Sequence, residues 1–203
     1  MPAIFCWSKF GNEAGESADG ILARKESERA RNNGVFLWGI GSSIAPSLQE
    51  LLRQQSSPQI LFTPMLSAPA QRDTNPGAIA VWHSAQTMDG SSFMLPQHSS
   101  VTSRADLERP PKRHYALVCR SDDSIGQGDG AVWFDETDVR NLRTGSLVGS
   151  SQVTSVVRLL DRGRRNHRRY QVAFSAHLDP PYFVTLSNCT VEAARDDGYA
   201  SSA

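Results

Sequence analysis

Short apolar runs that each stop at turn-forming residues recur along this chain, and they constrain its fold more than any other feature. The runs are rich in β-branched and aromatic residues, which favour strands, whereas the Gly, Pro, Asn and Asp residues between them favour turns. They lie at residues 3–10, 35–44, 59–67, 79–83, 114–120, 152–160, 169–178 and 182–188. The sequence therefore predicts a structure built mainly from short strands.

Two helices are predicted, both in the N-terminal part of the chain. Residues 17–32 contain few β-branched residues and run into Asn33-Gly34, a pair that suits a helix C-cap. Residues 46–55 begin with a proline, which is tolerated in a first helical turn. The first helix has few apolar residues, so its basic side chains are expected to lie mostly in water. These are Arg24, Lys25, Arg29 and Arg31.

After residue 60 the chain lacks the regular alternation of helices that a doubly wound parallel sheet requires. Residues 84–113, rich in Ser, Pro and His, are predicted to be irregular. The scattered acidic residues between positions 120 and 140 are expected to form a solvated face rather than a metal site. Residues 152–178 are predicted to form a β-hairpin that turns at residues 161–166.

Together these elements predict the α+β class, most simply a small mixed sheet, curled or closed into a β-barrel, with two short helices near the N-terminus. The length of 203 residues suits one core. We therefore expect a single domain at residues 1–194 and a flexible tail at residues 195–203.

Composition narrows the functional classes. The 21 basic and 21 acidic side chains cancel, so net charge alone indicates neither nucleic acid nor membrane as a partner. Three cysteines without CxxC spacing argue against a disulfide framework and a zinc knuckle, and the histidines form no HxH or HxxxH pair. Neither a secretion signal nor an apolar membrane span is recognised. A soluble cytoplasmic protein without metal or cofactor is expected.

The segment VFLWGIGSSI, residues 35–44, has two possible interpretations. Its glycines could form an anion-binding loop before a helix, but Ile44 replaces the third glycine of the dinucleotide motif and no P-loop lysine follows. We expect instead the wall of a pocket in which indoles stack on a flat base. The residues expected to contact the base are Trp7, Ser8, Lys9, Trp38, Gly39, Gly41, Ser42 and Ser43. The alternative is that both tryptophans belong to the core.

The order of these elements resembles the PUA-like superfamily, in particular its EVE and ASCH branches, over residues 3–120. The resemblance is carried by Trp7-Ser8-Lys9 in the opening strand, by FLWGIGSS, and by the later segments ILFTPMLSAP and HYALVC. It implies a small β-barrel that recognises an extruded, modified base, as EVE and the related YTH domains do. The EVE run of tryptophan, glycine, valine, arginine and asparagine is absent.

The ASCH signature G-x-K-x-x-E-x-R is partly present. Lys25 and Glu28 have its spacing, but Ala23 replaces the glycine and Ala30 stands where arginine is expected. Because some ASCH-type proteins are implicated in RNA cleavage through such a helix, the resemblance implies Lys25, Glu28 and Arg31 as catalytic candidates. The residues alone give little support to an enzyme, since neither a G-x-S-x-G motif nor a recognisable cysteine nucleophile occurs.

The segment at residues 158–169 holds six arginines against one aspartate. Arginine pairs bidentately with phosphate, so this segment is a candidate clamp on a nucleic-acid backbone; the alternative is a solvated turn. The residues expected to contact the backbone are Arg104, Arg162, Arg164, Arg165, Arg168 and Arg169.

Three functions remain open at this point. The first is a module that recognises a modified base in DNA or RNA and could act with a separate nuclease or effector chain. The second is a small ribonuclease or base-processing hydrolase on the same scaffold. The third is a pocket for a small heterocyclic metabolite.

Overall fold

A computed structural model of the chain describes residues 3–11, 16–65, 78–102, 109, 113–125, 133–149, 153–160 and 169–193. The helices are α1 (Ala18–Arg31) and α2 (Ala45–Gln54), with 3₁₀ turns at Ser42–Ile44 and Glu136–Asp138. The strands are β1 (Ile4–Phe10), β2 (Val35–Ile40), β3 (Gln59–Pro64), β4 (Ala78–Thr87), β5 (Ser92–Phe93), β6 (His98–Thr102), β7 (His114–Arg120), β8 (Trp133–Asp135), β9 (Val139–Asn141), β10 (Thr154–Leu159), β11 (Arg169–Gln171) and β12 (Phe174–Ala193). Neither of these helices has the length and apolar character needed to cross a membrane.

Most of the described strands belong to one mixed sheet. Its order is β2-β7-β12-β3-β1-β10-β9. Strand β4 pairs with the C-terminal part of β12, and β5 and β6 pair with β4. Strands β1 and β3 are parallel, whereas β8 and β11 form a separate antiparallel pair. The two helices and the many strands confirm the predicted α+β class. Among the described strands β2 and β6 do not pair, so the sheet is not closed and the closed-barrel alternative is wrong.

Two predictions about the strands are also wrong. Residues 84–113, predicted to be irregular, contain the end of β4 and all of β5 and β6. Strand β6 has little apolar character; it pairs with β4 and buries the polar side chains of His98 and Ser100. The predicted hairpin at residues 152–178 is not formed, because β10 pairs with β1 and β9 while β11 pairs with β8. Its predicted turn lies outside the described residues.

Helix α1 confirms the predicted boundaries and corrects the expected exposure. The Ser17 side chain caps it by accepting a hydrogen bond from the Gly20 N–H (3.1 Å). Ile21, Lys25 and Glu28 share one helical face and are all buried. Lys25 therefore does not lie in water as expected, whereas Arg31 is exposed.

The expected solvated acidic face is wrong at two positions. Asp135 and Asp138 are buried, and Asp135 Oδ1 accepts hydrogen bonds from the backbone N–H (2.8 Å) and hydroxyl (2.7 Å) of Thr137. The carboxylate thereby caps the 3₁₀ turn that links β8 to β9. This capping role accounts for the burial of Asp135.

Strand alternation separates three hydrophobic clusters. The largest lies between the helices and one face of the sheet and contains Trp38. A second covers the other face of β1 and contains Trp7 together with residues of β8, β9 and β11. The third contains Leu37 from β2 and Trp82 from β4, with residues of β7 and β12. The side chains of Leu37 and Trp38 thus lie on opposite faces of β2, as alternation predicts.

Candidate functional site

The two tryptophans predicted to stack on a base are both core residues in this structure. Trp7 is 1% exposed, packs edge-on against Phe134 and Tyr170, and donates its indole N–H to Thr63 Oγ1 (2.9 Å). Each edge contact places one ring's hydrogen edge on another ring's face, a favoured arrangement in apolar cores. The indole of Trp7 therefore has aromatic packing partners and an acceptor for its N–H.

Trp38 occupies the opposite side of β1. It is 6% exposed, packs against Phe62 with ring centroids 4.6 Å apart, and donates its N–H to Ser8 Oγ (2.8 Å). Because Trp7 and Ser8 point to opposite faces of β1, the two indoles are not two walls of one pocket. A role of these residues in base binding stays a prediction.

The other predicted base-binding residues divide between core and surface. Lys9 is buried, donates to the Gly149 carbonyl (3.0 Å), and places its Nζ 4.8 Å from the ring centroid of Trp7. Such an ammonium is stabilised by the negative face of the indole. Gly41, Ser42 and Ser43 are exposed before α2. These side chains do not converge on one point.

The predicted backbone contacts lie mostly outside the described residues. This applies to Arg104, Arg162, Arg164, Arg165 and Arg168, whereas Arg169 is exposed in β11. At the start of the arginine-rich segment, Arg158 is exposed and stands opposite Arg140 in the β9–β10 pair. Like charges directly opposite one another destabilise a pair of strands unless an anion compensates them.

A buried polar cluster, formed by Lys25, Glu28 and His98, does converge. Lys25 Nζ lies 2.8 Å from Glu28 Oε2 and 3.1 Å from His98 Nδ1. The same His98 nitrogen lies 3.0 and 3.1 Å from the two carboxylate oxygens of Glu28. The three residues are at most 5% exposed. Two of the catalytic candidates thus meet a histidine that is remote in sequence, whereas Arg31 is exposed at the end of α1.

The cluster bridges the edges of β2 and β6 with which no described strand pairs. Glu28 Oε1 accepts the backbone N–H of Leu37 in β2 (2.7 Å), while Lys25 Nζ (3.3 Å) and Arg24 Nη1 (2.7 Å) donate to the Ser99 carbonyl in β6. Buried backbone groups need such partners, and α1 supplies them where strand pairing ends. The cluster therefore also joins β6 to β2.

A second histidine, His114, lies beside this cluster. Its ring stacks on Trp82 with centroids 5.3 Å apart and lies 6.5 Å from the ring of His98. Trp82 in turn donates its indole N–H to Ser100 Oγ (2.9 Å). The Nε2 atoms of both His98 and His114 are buried and have no hydrogen-bond partner among the described residues. Two imidazole nitrogens are thus left with unused hydrogen-bonding capacity.

Gly39 makes room for the His114 ring. A Cβ atom at position 39 would lie 2.6 Å from His114 Nε2, so the space that the sequence assigned to a ligand is filled by imidazole. We expect Gly39→Ala to destabilise the fold by about 1–3 kcal/mol, because the stacked ring must move. Gly41→Ala is the matched control, since among the described residues its Cβ would meet only Ser43 Oγ, at 3.8 Å. Equal urea midpoints for the two variants would contradict this packing.

Burial and charge set the titration of the cluster. Burial lowers the pKa of Lys25 despite the opposing Glu28 carboxylate. Burial alone would raise the pKa of Glu28, but the Lys25 charge and the His98 hydrogen bond outweigh it and lower that pKa. Burial, with the Lys25 charge, lowers the pKa of His98 and of His114 to about 4. At neutral pH the Glu28 carboxylate is therefore ionised, and the imidazoles of His98 and of the neighbouring His114 are neutral.

Comparison of the chain with protein-family models, with curated proteins and with solved structures finds no match. The resemblance to PUA-like domains therefore stays a prediction. Among the described residues, no group of three or more His, Cys, Asp and Glu side chains is arranged to hold a metal ion. Within the part of the chain that the structure describes, the Lys25–Glu28–His98 cluster is therefore the candidate site.

The sequence analysis assigned neither His98 nor Trp82 to a site. Strand β6 has no apolar pattern, so its pairing with β4 and the position of His98 were not visible. The signal that could have been used lies in α1, where Lys25 and Glu28 follow Ile21 on one helical face. Ionisable residues at the buried positions of a helix indicate a polar partner from elsewhere in the chain.

Proposed function

We propose that this chain is a small ribonuclease whose reactive centre is the Lys25–Glu28–His98 cluster. The observation that carries the proposal is the convergence of three ionisable side chains within 3.1 Å at a buried position. Burying an ion pair costs desolvation free energy that apolar residues of similar size would avoid. Buried ionisable groups with shifted pKa values are concentrated at functional sites.

A purely structural role would require fewer polar side chains than the cluster contains. To join β2 and β6, one acceptor for the Leu37 N–H and one donor for the Ser99 carbonyl are sufficient. Arg24 already supplies the donor, at 2.7 Å. The Lys25 ammonium and the imidazole of His98 are additional, and this excess favours a chemical role.

The proposed chemistry follows from the charges of these groups. An ammonium in a site of low dielectric stabilises the negative charge that develops on a phosphate during cleavage. A carboxylate with an imidazole provides a unit that accepts the proton of an attacking hydroxyl. In RNA that hydroxyl is the 2′-OH of the nucleotide being cleaved, so DNA of the same sequence is not a substrate.

A nucleic-acid partner is supported from another part of the molecule. Arg158, the first residue of the arginine-rich segment, stands opposite Arg140 of β9, and the paired positive charges favour an anionic ligand there. Strands β9 and β10 are at the opposite end of the strand order from β2. Backbone binding and cleavage are therefore separate properties that separate measurements can test.

The proposal is tested by incubating end-labelled single-stranded RNA with the wild-type chain and with the double variant Lys25→Met/Glu28→Gln. The double variant removes both charges together, and its glutamine carbonyl still accepts the Leu37 N–H. We expect it to fold and to lose at least about 100-fold in cleavage rate. Arg53→Ala removes an exposed charge from α2 and serves as the control.

Two outcomes would overturn the proposal: no cleavage of RNA by the wild-type chain, or equal cleavage by the double variant. Cleavage of DNA at the same rate would exclude attack by the 2′-hydroxyl. Stable binding of oligonucleotides without cleavage would instead favour the reader function that the sequence suggests.

A further inference from the structure

We infer that His98 is the residue that accepts the proton of the attacking hydroxyl, with Glu28 as the positioning residue that orients its ring. This inference rests on the proposed function and deepens it. Its geometric basis is that His98 Nδ1 contacts both oxygens of Glu28 while His98 Nε2, on the far side of the ring, is buried without a partner among the described residues.

The tautomer of His98 follows from its neighbours. If Nδ1 were unprotonated, it could accept a hydrogen bond from Lys25 Nζ at 3.1 Å, but its lone pair would also face two carboxylate oxygens, at 3.0 and 3.1 Å, with no proton between them. If Nδ1 carries the proton, it donates to Glu28, and only the Lys25 ammonium at 3.1 Å is unfavourably placed. Lys25 can direct its own protons to Glu28 Oε2 and the Ser99 carbonyl. Neutral His98 is therefore protonated at Nδ1, which leaves the Nε2 lone pair free to act as a base.

The proposed step is balanced as follows. Because His98 Nε2 is buried, the nucleotide reaches it only when the side chains that cover it move aside. The proton of the 2′-hydroxyl then passes to His98 Nε2, the 2′-oxygen forms a bond to phosphorus, and the bond from phosphorus to the 5′-oxygen breaks. That leaving oxygen takes a proton from water, and His98 afterwards returns its proton to solvent. The Glu28 carboxylate stabilises the imidazolium formed in between, as a carboxylate does for the histidine of other acid–base pairs.

The substitution His98→Asn distinguishes the roles of the two ring nitrogens. The side-chain nitrogen of asparagine can take the place of Nδ1 and donate to Glu28, but nothing replaces Nε2. We expect the variant to fold, with kcat for RNA cleavage lowered about 10²- to 10⁴-fold and KM little changed. The wild-type kcat should fall at acid pH as His98, which faces Lys25, Glu28 and His114, becomes protonated; any residual activity of the variant should lack this limb.

A second measurement does not depend on activity or on the stability of a variant. The ring nitrogens of ¹⁵N-labelled histidines in the full wild-type chain are observed by NMR at neutral pH, with His98 assigned by comparison with His98→Asn or, failing that, through its backbone. We expect a protonated Nδ1 and an unprotonated Nε2. The opposite tautomer would overturn the inference.

The outcomes for the inference and for the proposed function are distinguishable. If the wild-type chain cleaves RNA and His98→Asn cleaves it equally well, the inference fails while the ribonuclease function stands. If the wild-type chain does not cleave RNA, both fail. Loss of cleavage in a folded His98→Asn variant, together with the expected tautomer, supports both.

Discussion

Replacing Glu28 with alanine is expected to destabilise the folded chain by about 3–5 kcal/mol, the range measured when one partner of a buried ion pair is removed. Two losses combine at this position. The Lys25 ammonium, 2.8 Å from Glu28 Oε2, keeps its desolvation cost without its counter-charge. The Leu37 N–H also loses the acceptor at 2.7 Å that satisfies it at the edge of β2.

The measurement is urea unfolding at neutral pH, followed by circular dichroism. The pair Glu50–Arg53 in α2 gives a matched control, because it has the same i,i+3 spacing but is largely exposed. Glu50→Ala should leave the urea midpoint almost unchanged, since exposed ion pairs contribute little. The double variant Lys25→Met/Glu28→Gln should lose less unfolding free energy than Glu28→Ala alone. If Glu28→Ala were as stable as Glu50→Ala, the cluster would not be buried as described.

The elements that the sequence predicted well are those specified by local patterns. Strand β7 is a short apolar run, and α1 ends where Asn33 and Gly34 adopt the left-handed conformation that asparagine and glycine tolerate. Neighbouring residues determine such features, so no knowledge of distant contacts is needed. The α+β class follows from them.

The features that the sequence did not predict depend on contacts between distant segments. Residues 25 and 98 are 73 positions apart, and their meeting requires β6 to pair with β4 and α1 to cover the edge of β2. The failed hairpin prediction has the same cause: β10 pairs with β1, although the following segment is closer in sequence. Apolar patterns give the existence of strands but not their partners.

The tryptophans illustrate a different limit. Alternation in β2 correctly separates Trp38 from Leu37, but it does not say which face of a strand is covered by the rest of the chain. In the structure both faces of β1 are covered, one by the cluster around Trp38 and the other by the cluster around Trp7. An aromatic residue in a strand therefore predicts a buried face more reliably than an open pocket.

The second large effect is a loss of folding stability at acid pH. The pKa of His98 and that of His114 lie at about 4 instead of 6.5, because burial and then the Lys25 charge disfavour the imidazolium. As the pH falls from 6.5 towards 4, the unfolded chain binds these protons before the folded chain does, so folding is progressively destabilised. A shift of this size corresponds to roughly 3 kcal/mol for each histidine by pH 4. The lowered pKa of Glu28 acts in the same direction below its unfolded value of 4.5.

Urea unfolding between pH 7 and pH 4 measures this dependence as the slope of the unfolding free energy against pH, about 1.4 kcal/mol per pH unit for each proton taken up on unfolding. The wild-type slope includes the acid titration of every other group, so variants are compared with it rather than with zero. His98→Asn should reduce the slope by the contribution of one proton, and His98→Asn/His114→Asn by two. Because each variant also changes stability at neutral pH, the slope is compared and not the midpoint. A slope that is the same in all three chains would show that the two imidazoles are not buried in their neutral form, and the electrostatic description of the cluster would then be wrong.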